Sequence, residues 1–274
     1  MTEWSLAVRA MKPQERRERI ATLVRETTRV SVEELAELLG TSHETVRRDL
    51  ALLSERGLVR KVHGGAVHAQ TALESSFGDR TMTARNEKVA IGRRAAQLFQ
   101  PGDSIFIDSG STTAAFAEAL GKAGHFSVIT NSLLVANELW KAPIRSDIYL
   151  LGGRFFGEGH ETLGPLAIEE IQRLRVDHAV LTIGAIDPAG RCMDFNADET
   201  YIARAMLASA RQTTILADSS KLGRHALFEV CDAKQIQRLV TDQLPAGPLA
   251  EALRAAGVEI LTADSHPREI ARRA

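Results

Sequence analysis

Residues 31–68, SVEELAELLGTSHETVRRDLALLSERGLVRKVHGGAVH, hold several element boundaries in one short run. Ser31 stands three residues before Glu34, the spacing of a capping box. Behind it Val32, Leu35, Ala36, Leu38 and Leu39 repeat at the helical period, and Gly40 supplies a positive-φ stop. Thr41 and Glu44 repeat the capping spacing, so another helix starts at once. That helix turns Val46, Leu50 and Leu53 inward and ends near Gly57. Upstream, residues 14–27 fit a first helix, with Ile20, Leu23 and Val24 on one face and Pro13 just before it. Downstream, 58–62 reads as a strand, 63–65 as a turn and 66–68 as an antiparallel return. Two short helices joined by a turn containing Gly, followed by a hairpin, are the pattern of a winged helix-turn-helix.

In that geometry the start of the third helix reaches base edges or phosphates of duplex DNA. Ser31, Ser42, His43, Thr45, Arg47 and Arg48 are the candidate DNA-contacting residues on the helices, with Arg60, Lys61, His63 and Gly64 on the wing. Arg offers a planar fork for guanine or phosphate, and hydroxyls and free helix amides suit phosphate. Asp49, beside Arg47 and Arg48, reads as an internal partner for a neighbouring Arg. The net charge of the whole chain is −1, so any DNA-binding surface must be local.

The chain has 274 residues, 44% hydrophobic and 25% charged, an ordinary globular balance with room for two unequal domains. Its N-terminus lacks the pattern of a signal peptide, and no run approaches a membrane span, so a cytoplasmic protein with no membrane partner is expected. Cys192 and Cys231 match neither a metal-ligand spacing nor a disulfide framework and are expected as reduced, buried thiols. No metal, cofactor or catalytic residue is assigned.

The domain boundaries read as a helix-turn-helix domain at 12–69, a linker at 70–86, polar and small in its first part, and a larger domain at 87–274. In the larger domain, helical patterns alternate with apolar runs at 104–108, 126–130, 147–151, 179–183, 213–217, 238–241 and 258–261. That alternation predicts a Rossmann-like α/β fold with a mainly parallel sheet covered on both faces. Asp108-Ser109-Gly110-Ser111-Thr112-Thr113 follows the first run and precedes a helix. Gly110 allows close backbone approach, and the helix start offers free N–H groups to an anion. An ordinary capped turn fits the same residues. Thr130-Asn131-Ser132, Gly152-Gly153 and Gly184 end three further strands, and several such ends on one sheet edge favour a pocket. Asp198 and Glu199 open a helix, where acids serve the helix dipole or bind sugar hydroxyls. Lys221, past the 213–217 strand, is either a phosphate partner or a solvated cation.

The stretches 30–36, 45–50 and 57–66 together resemble the DeoR family of bacterial transcriptional regulators. The resemblance continues through 108–113, 130–132, Gly152-Gly153, Gly164, Asp177, Glu199 and 218–221, spanning Lys12 to Thr241. It implies an operator-binding winged helix, usually of a repressor, in which His43 contributes to operator choice. It also implies a sensor domain similar to ribose phosphate isomerase, binding a phosphorylated sugar, polyol or sugar acid with its phosphate on residues 111–113. The Asp-Gly-Ala-Asp-Glu stretch of those isomerases has no intact counterpart. Residues 182–187, TIGAID, stand in its place, which argues for binding without turnover. The expected partners are double-stranded operator DNA, a phosphorylated sugar-like effector, and further copies of the chain in a homodimer or homotetramer. The competing reading is a sugar-phosphate isomerase fused to a DNA-binding module, with Asp108, Asp187, Asp198 or Glu199 as its base.

Overall fold

Capping and punctuation set the first elements. The computed structural model describes residues 11–26, 30–55, 58–62, 64–68 and 77–263. The chain divides into two units, residues 1–76 and 77–274. The first unit contains α1 (Pro13–Glu26), β1 (Val30–Ser31), α2 (Val32–Leu39), α3 (His43–Glu55), β2 (Val59–Val62) and β3 (Gly65–His68). Both arms of the capping box on α2 are made: the Glu34 amide donates to Ser31 Oγ at 3.0 Å, and the Ser31 amide to Glu34 Oε2 at 2.7 Å. Gly40 takes the left-handed conformation, φ 57°, and ends the helix. The cap of α3 is Ser42, whose Oγ accepts from the Thr45 amide at 3.2 Å, not Thr41 as the spacing predicts.

Ile20, Val24, Val32, Leu35, Val46, Leu50 and Leu53 form the core of this unit with Val30, Val59 and Ala66 from its sheet. Leu38 departs from the predicted inner face and is 67% exposed; the narrow stripe of an eight-residue helix is filled by Val32, Leu35 and Ala36. The sheet order β1-β3-β2 is antiparallel throughout and adds the short β1 that the sequence pattern did not mark.

The second unit begins inside the stretch read as a linker, with α4 (Phe77–Met82) and α5 (Arg85–Ala96). Then come β4 (Ser104–Ile107), α6 (Ser111–Leu120), β5 (Ser127–Thr130), α7 (Leu133–Lys141), β6 (Asp147–Leu150), β7 (Arg154–Phe156), β8 (Glu161–Leu163) and α8 (Pro165–Gln172). The chain continues with β9 (Val176–Thr182), β10 (Ala185–Ile186), β11 (Cys192–Asp194), α9 (Ala197–Ala208), β12 (Ala210–Leu216), β13 (Phe228–Cys231), β14 (Arg238–Thr241), α10 (Gly247–Ala255) and β15 (Glu259–Thr262).

All seven predicted apolar runs are strands of one seven-stranded sheet, in the order β15-β14-β12-β9-β4-β5-β6, and every pairing is parallel. Counted along the chain, that order is 3-2-1-4-5-6-7, the doubly wound Rossmann arrangement. Its direction reverses between β4 and β9, the switch point beyond whose strand ends doubly wound folds bind their ligands. Two cores cover the two faces. Ile105, Ile107, Val128, Val180 and Val240 face α5, α6 and α7 through Ile91, Phe116, Leu120 and Leu139. Phe106, Leu181, Ile215 and Leu239 pack with Ile171, Ile202, Met206 and Leu253 of α8, α9 and α10. The hairpin β7-β8 and the small antiparallel sheet β10-β11-β13 lie outside the seven predicted runs. Cys192 and Cys231 are free, buried and opposite one another across β11 and β13.

Candidate functional site

The first unit presents α3 with its apolar side locked inward by Val46, Leu50 and Leu53. The opposite side therefore faces water: Ser42, His43, Glu44, Arg47 and Arg48 are all exposed. Arg47 and Arg48 each lie near Glu44, at 4.0 and 3.4 Å, in exposed pairs worth little in water. Thr45 is half-buried, its hydroxyl 2.9 Å from that of Ser42. Asp49 is buried and accepts from Arg16 Nε at 2.6 Å, with Arg17 Nε at 3.6 Å. Its partners thus come from α1, across the core, and Arg47 and Arg48 are left to solvent. Ser31 is occupied as a cap. Lys61 is exposed on β2, Arg60 lies on the same strand, and Gly64, φ 75°, precedes β3. His63 lies outside the described residues.

In the second unit, the ends of β4, β5, β9 and β12 meet at one sheet edge. Asp108 is buried there, and both carboxylate oxygens accept from the Thr182 amide, at 3.1 and 3.0 Å. The Thr182 hydroxyl donates to the Ser109 carbonyl at 3.0 Å, so the switch point is laced from both sides. Gly110, φ 152°, approaches so closely that a Cβ would sit 2.5 Å from Thr182 Oγ1. It precedes α6, whose first turn holds Ser111, Thr112 and Thr113 with no side-chain cap from Gly110. First-turn amides lack intrahelical acceptors and suit an anion. The Thr113 hydroxyl is used locally, donating to the Gly110 carbonyl at 3.1 Å.

Glu161, which no sequence motif marks, arrives from β8. It is buried and accepts from Ser109 Oγ and from Asn131 Nδ2, the latter at 3.0 Å. Asn131 Oδ1 is buried without a hydrogen-bond partner among the described residues. Burial pushes the Asp108 carboxyl well above the usual range. The Thr182 amide opposes that shift, while the carboxylates of Asp194, Glu161 and Glu199 add to it. Asp194 likewise escapes the sequence pattern, because nothing around it marks it as more than a strand residue. Glu199, half-buried in the first turn of α9, accepts from Asn196 Nδ2 at 3.0 Å. Lys221 ends a short turn, Ser219–Lys221, beyond β12 on the same edge.

Other predicted site residues serve the fold. Thr130 Oγ1 accepts from the Ser132 amide at 3.0 Å, and Ser132 Oγ caps α7 through the Val135 amide. The Gly152 amide donates to Glu170 at 2.8 Å, and Gly153 backs onto the Leu163 carbonyl, at the end of the edge strand β6. Gly184 makes room for the Phe195 ring. Of the candidate bases, Asp187 is held by Arg191 and the amides of its own turn, and Asp198 pairs with Arg154 at 2.9 Å. Among the described residues no group of three His, Cys, Asp or Glu is placed to hold a metal. None of the described helices is long and apolar enough to cross a membrane.

The model of the DeoR-like helix-turn-helix domain matches residues 16–72, and that of the DeoR C terminal sensor domain matches 83–243. The HTH-type transcriptional repressor CsqR of Escherichia coli (strain K12) is 35% identical over 246 residues, covering 90% of this chain and 94% of that protein. A glycerol-3-phosphate regulon repressor of Haemophilus influenzae is 35% identical over 237 residues, covering 86% and 92%. Among solved structures, ribose 5-phosphate isomerase A from Methanocaldococcus jannaschii matches 51% of this chain and 55% of its own, at 17% identity and a TM-score of 0.37.

Proposed function

The chain belongs to the DeoR family of transcriptional regulators, and from that premise we propose that it represses a carbohydrate-related operon under the control of a phosphorylated polyhydroxy metabolite. It is a DNA-binding regulator; α3 enters the major groove, Arg47 and Arg48 contact bases or phosphates, and Lys61 and Arg60 follow the backbone along the wing. The protein acts in the cytoplasm, two or four copies together, because half-sites on duplex DNA lie one helical turn apart.

One observation carries the effector reading. The sheet edge at the switch point gathers two kinds of chemistry: small hydroxyls, helix amides and Lys221, and the carboxyl groups of Asp108, Glu161, Asp194 and Glu199 with Asn131. The first suits a phosphate, and the second accepts hydrogen bonds from sugar hydroxyls. A gel shift on the chain's own upstream DNA, repeated across a panel of sugar and polyol phosphates, tests both halves. No preference for any duplex over random sequence would remove the regulator reading. No member of the panel altering the shift would remove the effector class.

A second reading, turnover of the same ligand, rests on Asp108, a buried carboxyl with a raised proton affinity at the switch point. Isomerisation of pentose or hexose phosphates by the purified chain would support it.

A further inference from the structure

The seven-stranded sheet has two open edges, β6 and β15, and the two differ. An edge strand exposes a row of unpaired N–H and C=O groups, which proteins guard with charge, proline or bulges. Both strands are four residues long and begin with an exposed acid, Glu259 paired with Arg238 at 3.1 Å and Asp147 lying 3.5 Å from His125 Nε2; in β15 the apolar residues that follow, Ile260 and Leu261, are half-buried. β6, Asp147-Ile148-Tyr149-Leu150, has unbroken register with β5 and no bulge, and its last two side chains, Tyr149 and Leu150, are 61% and 49% exposed.

Further exposed apolar side chains lie on the segments before and after the strand. Trp140 and Ile144 precede the strand, and Phe155 and Leu166 come after it, all of them exposed. The far side is tied to β6 directly: Thr162, opposite Phe155 in the hairpin, donates its hydroxyl to the Leu151 carbonyl at 2.8 Å. Leu166 lies against Gly152. Three aromatic and three aliphatic side chains on and around the strand, each about half exposed, together leave on the order of 500–600 Å² of apolar surface. A standard interface covers about 800 Å² per partner, a little over half of it apolar, so this patch meets the need of a stable dimer.

We propose that the outer edge of β6 is where two copies of the sensor unit join, strand to identical strand, antiparallel about a two-fold axis. A second copy is the occupant that satisfies both strand edges at once and closes without propagating. The same segment reaches the switch point: β8, partner of β7, carries Glu161 to Ser109 and Asn131. A ligand there therefore acts within a few residues of the joint.

This inference rests on the reading of the chain as a regulator working in more than one copy, and two measurements on the full chain separate the two. Sedimentation of the unaltered chain tests the reading; a monomer at every concentration overturns it together with the proposed joint. Tyr149→Asp with Leu150→Asp tests the surface. The expected result is a halved mass with an unchanged circular dichroism spectrum, while Leu227→Asp, at an exposed leucine elsewhere, keeps the parental mass. The parental mass in the double variant overturns the edge joint and leaves the oligomer standing. Should the double variant misfold, a nitroxide label on Leu150→Cys decides, since the chain's own two cysteines are buried. An antiparallel joint along a four-residue strand keeps the two positions 150 within about 15 Å of each other, so strong dipolar coupling between labels, absent for Leu227→Cys, supports the joint, and no coupling at 150 overturns it.

Discussion

Asp108 shows how one side chain carries both fold and site. Its carboxylate ties β4 to β9 through the Thr182 amide, yet it is buried beside three other acids. Burial raises its folded proton affinity above the unfolded value, so the native state holds a proton that the unfolded chain has released. Stability is then lost as pH rises above the ordinary aspartate value, about 3.9, until the folded group titrates. Asp108→Asn keeps an acceptor for Thr182 and has no proton to lose. Its unfolding free energy from urea titration should match the parent near pH 4 and exceed it increasingly at higher pH, by at most about 1.4 kcal/mol per pH unit. A gap that does not change with pH would refute this. Asp49 is also buried, with Arg16 and Arg17 in reach. The position of Asp49 was legible as structural, but its partners were not, since Arg16 on α1 lies thirty-three residues away.

Among the elements, α2 is the most locally determined. Ser31 and Glu34 satisfy each other's backbone, so Ser31→Ala should cost the first unit about 1 kcal/mol in chemical denaturation. The Glu34 carboxyl is held below its usual range by the Ser31 amide, then by the Ser31 hydroxyl. A depressed acid stabilises above its unfolded value, so this contribution fades as pH falls through the folded one. The α5–α6 contact depends instead on packing. A Cβ on Gly92 would lie 2.7 Å from the Phe116 amide nitrogen and 2.8 Å from the Ala115 carbonyl carbon. Gly92→Ala should therefore destabilise the sensor unit by about 1–3 kcal/mol, read from its urea midpoint, whereas an exposed helical Gly→Ala usually stabilises. An unchanged midpoint would mean that the two helices can part at no cost. The clash could not be seen from sequence, where Gly92 is only an isolated glycine in a helical run.

For the molecule as a whole, recognition of DNA and sensing of the effector are assigned to different units. Arg47→Ala should weaken operator binding about 5- to 150-fold, the range of a bidentate base contact, and lower the salt dependence if the contact is to phosphate. The same variant should keep the full effector-induced rise in melting temperature, since ligand binding stabilises by mass action wherever its site survives. Equal loss of both would show that the two functions share one surface. The units also differ in how they were legible: the first through the spacing of caps, arginines and glycines, the second through seven apolar runs and the small or polar residues at their ends.

The amino-acid sequence alone determined the three helices of the first unit, the seven strands of the main sheet, the Rossmann-like parallel class and the exposed basic face of α3. Each depends on neighbours a few residues apart, where periodicity, capping and turn chemistry act. Only tertiary structure decided that Glu161 and Asp194 stand beside Asp108, that Gly152 and Gly184 serve packing, and that β6 ends the sheet with an apolar rim. Those facts arise from strand order and side-chain volume between segments far apart along the chain, and a local pattern carries no record of either.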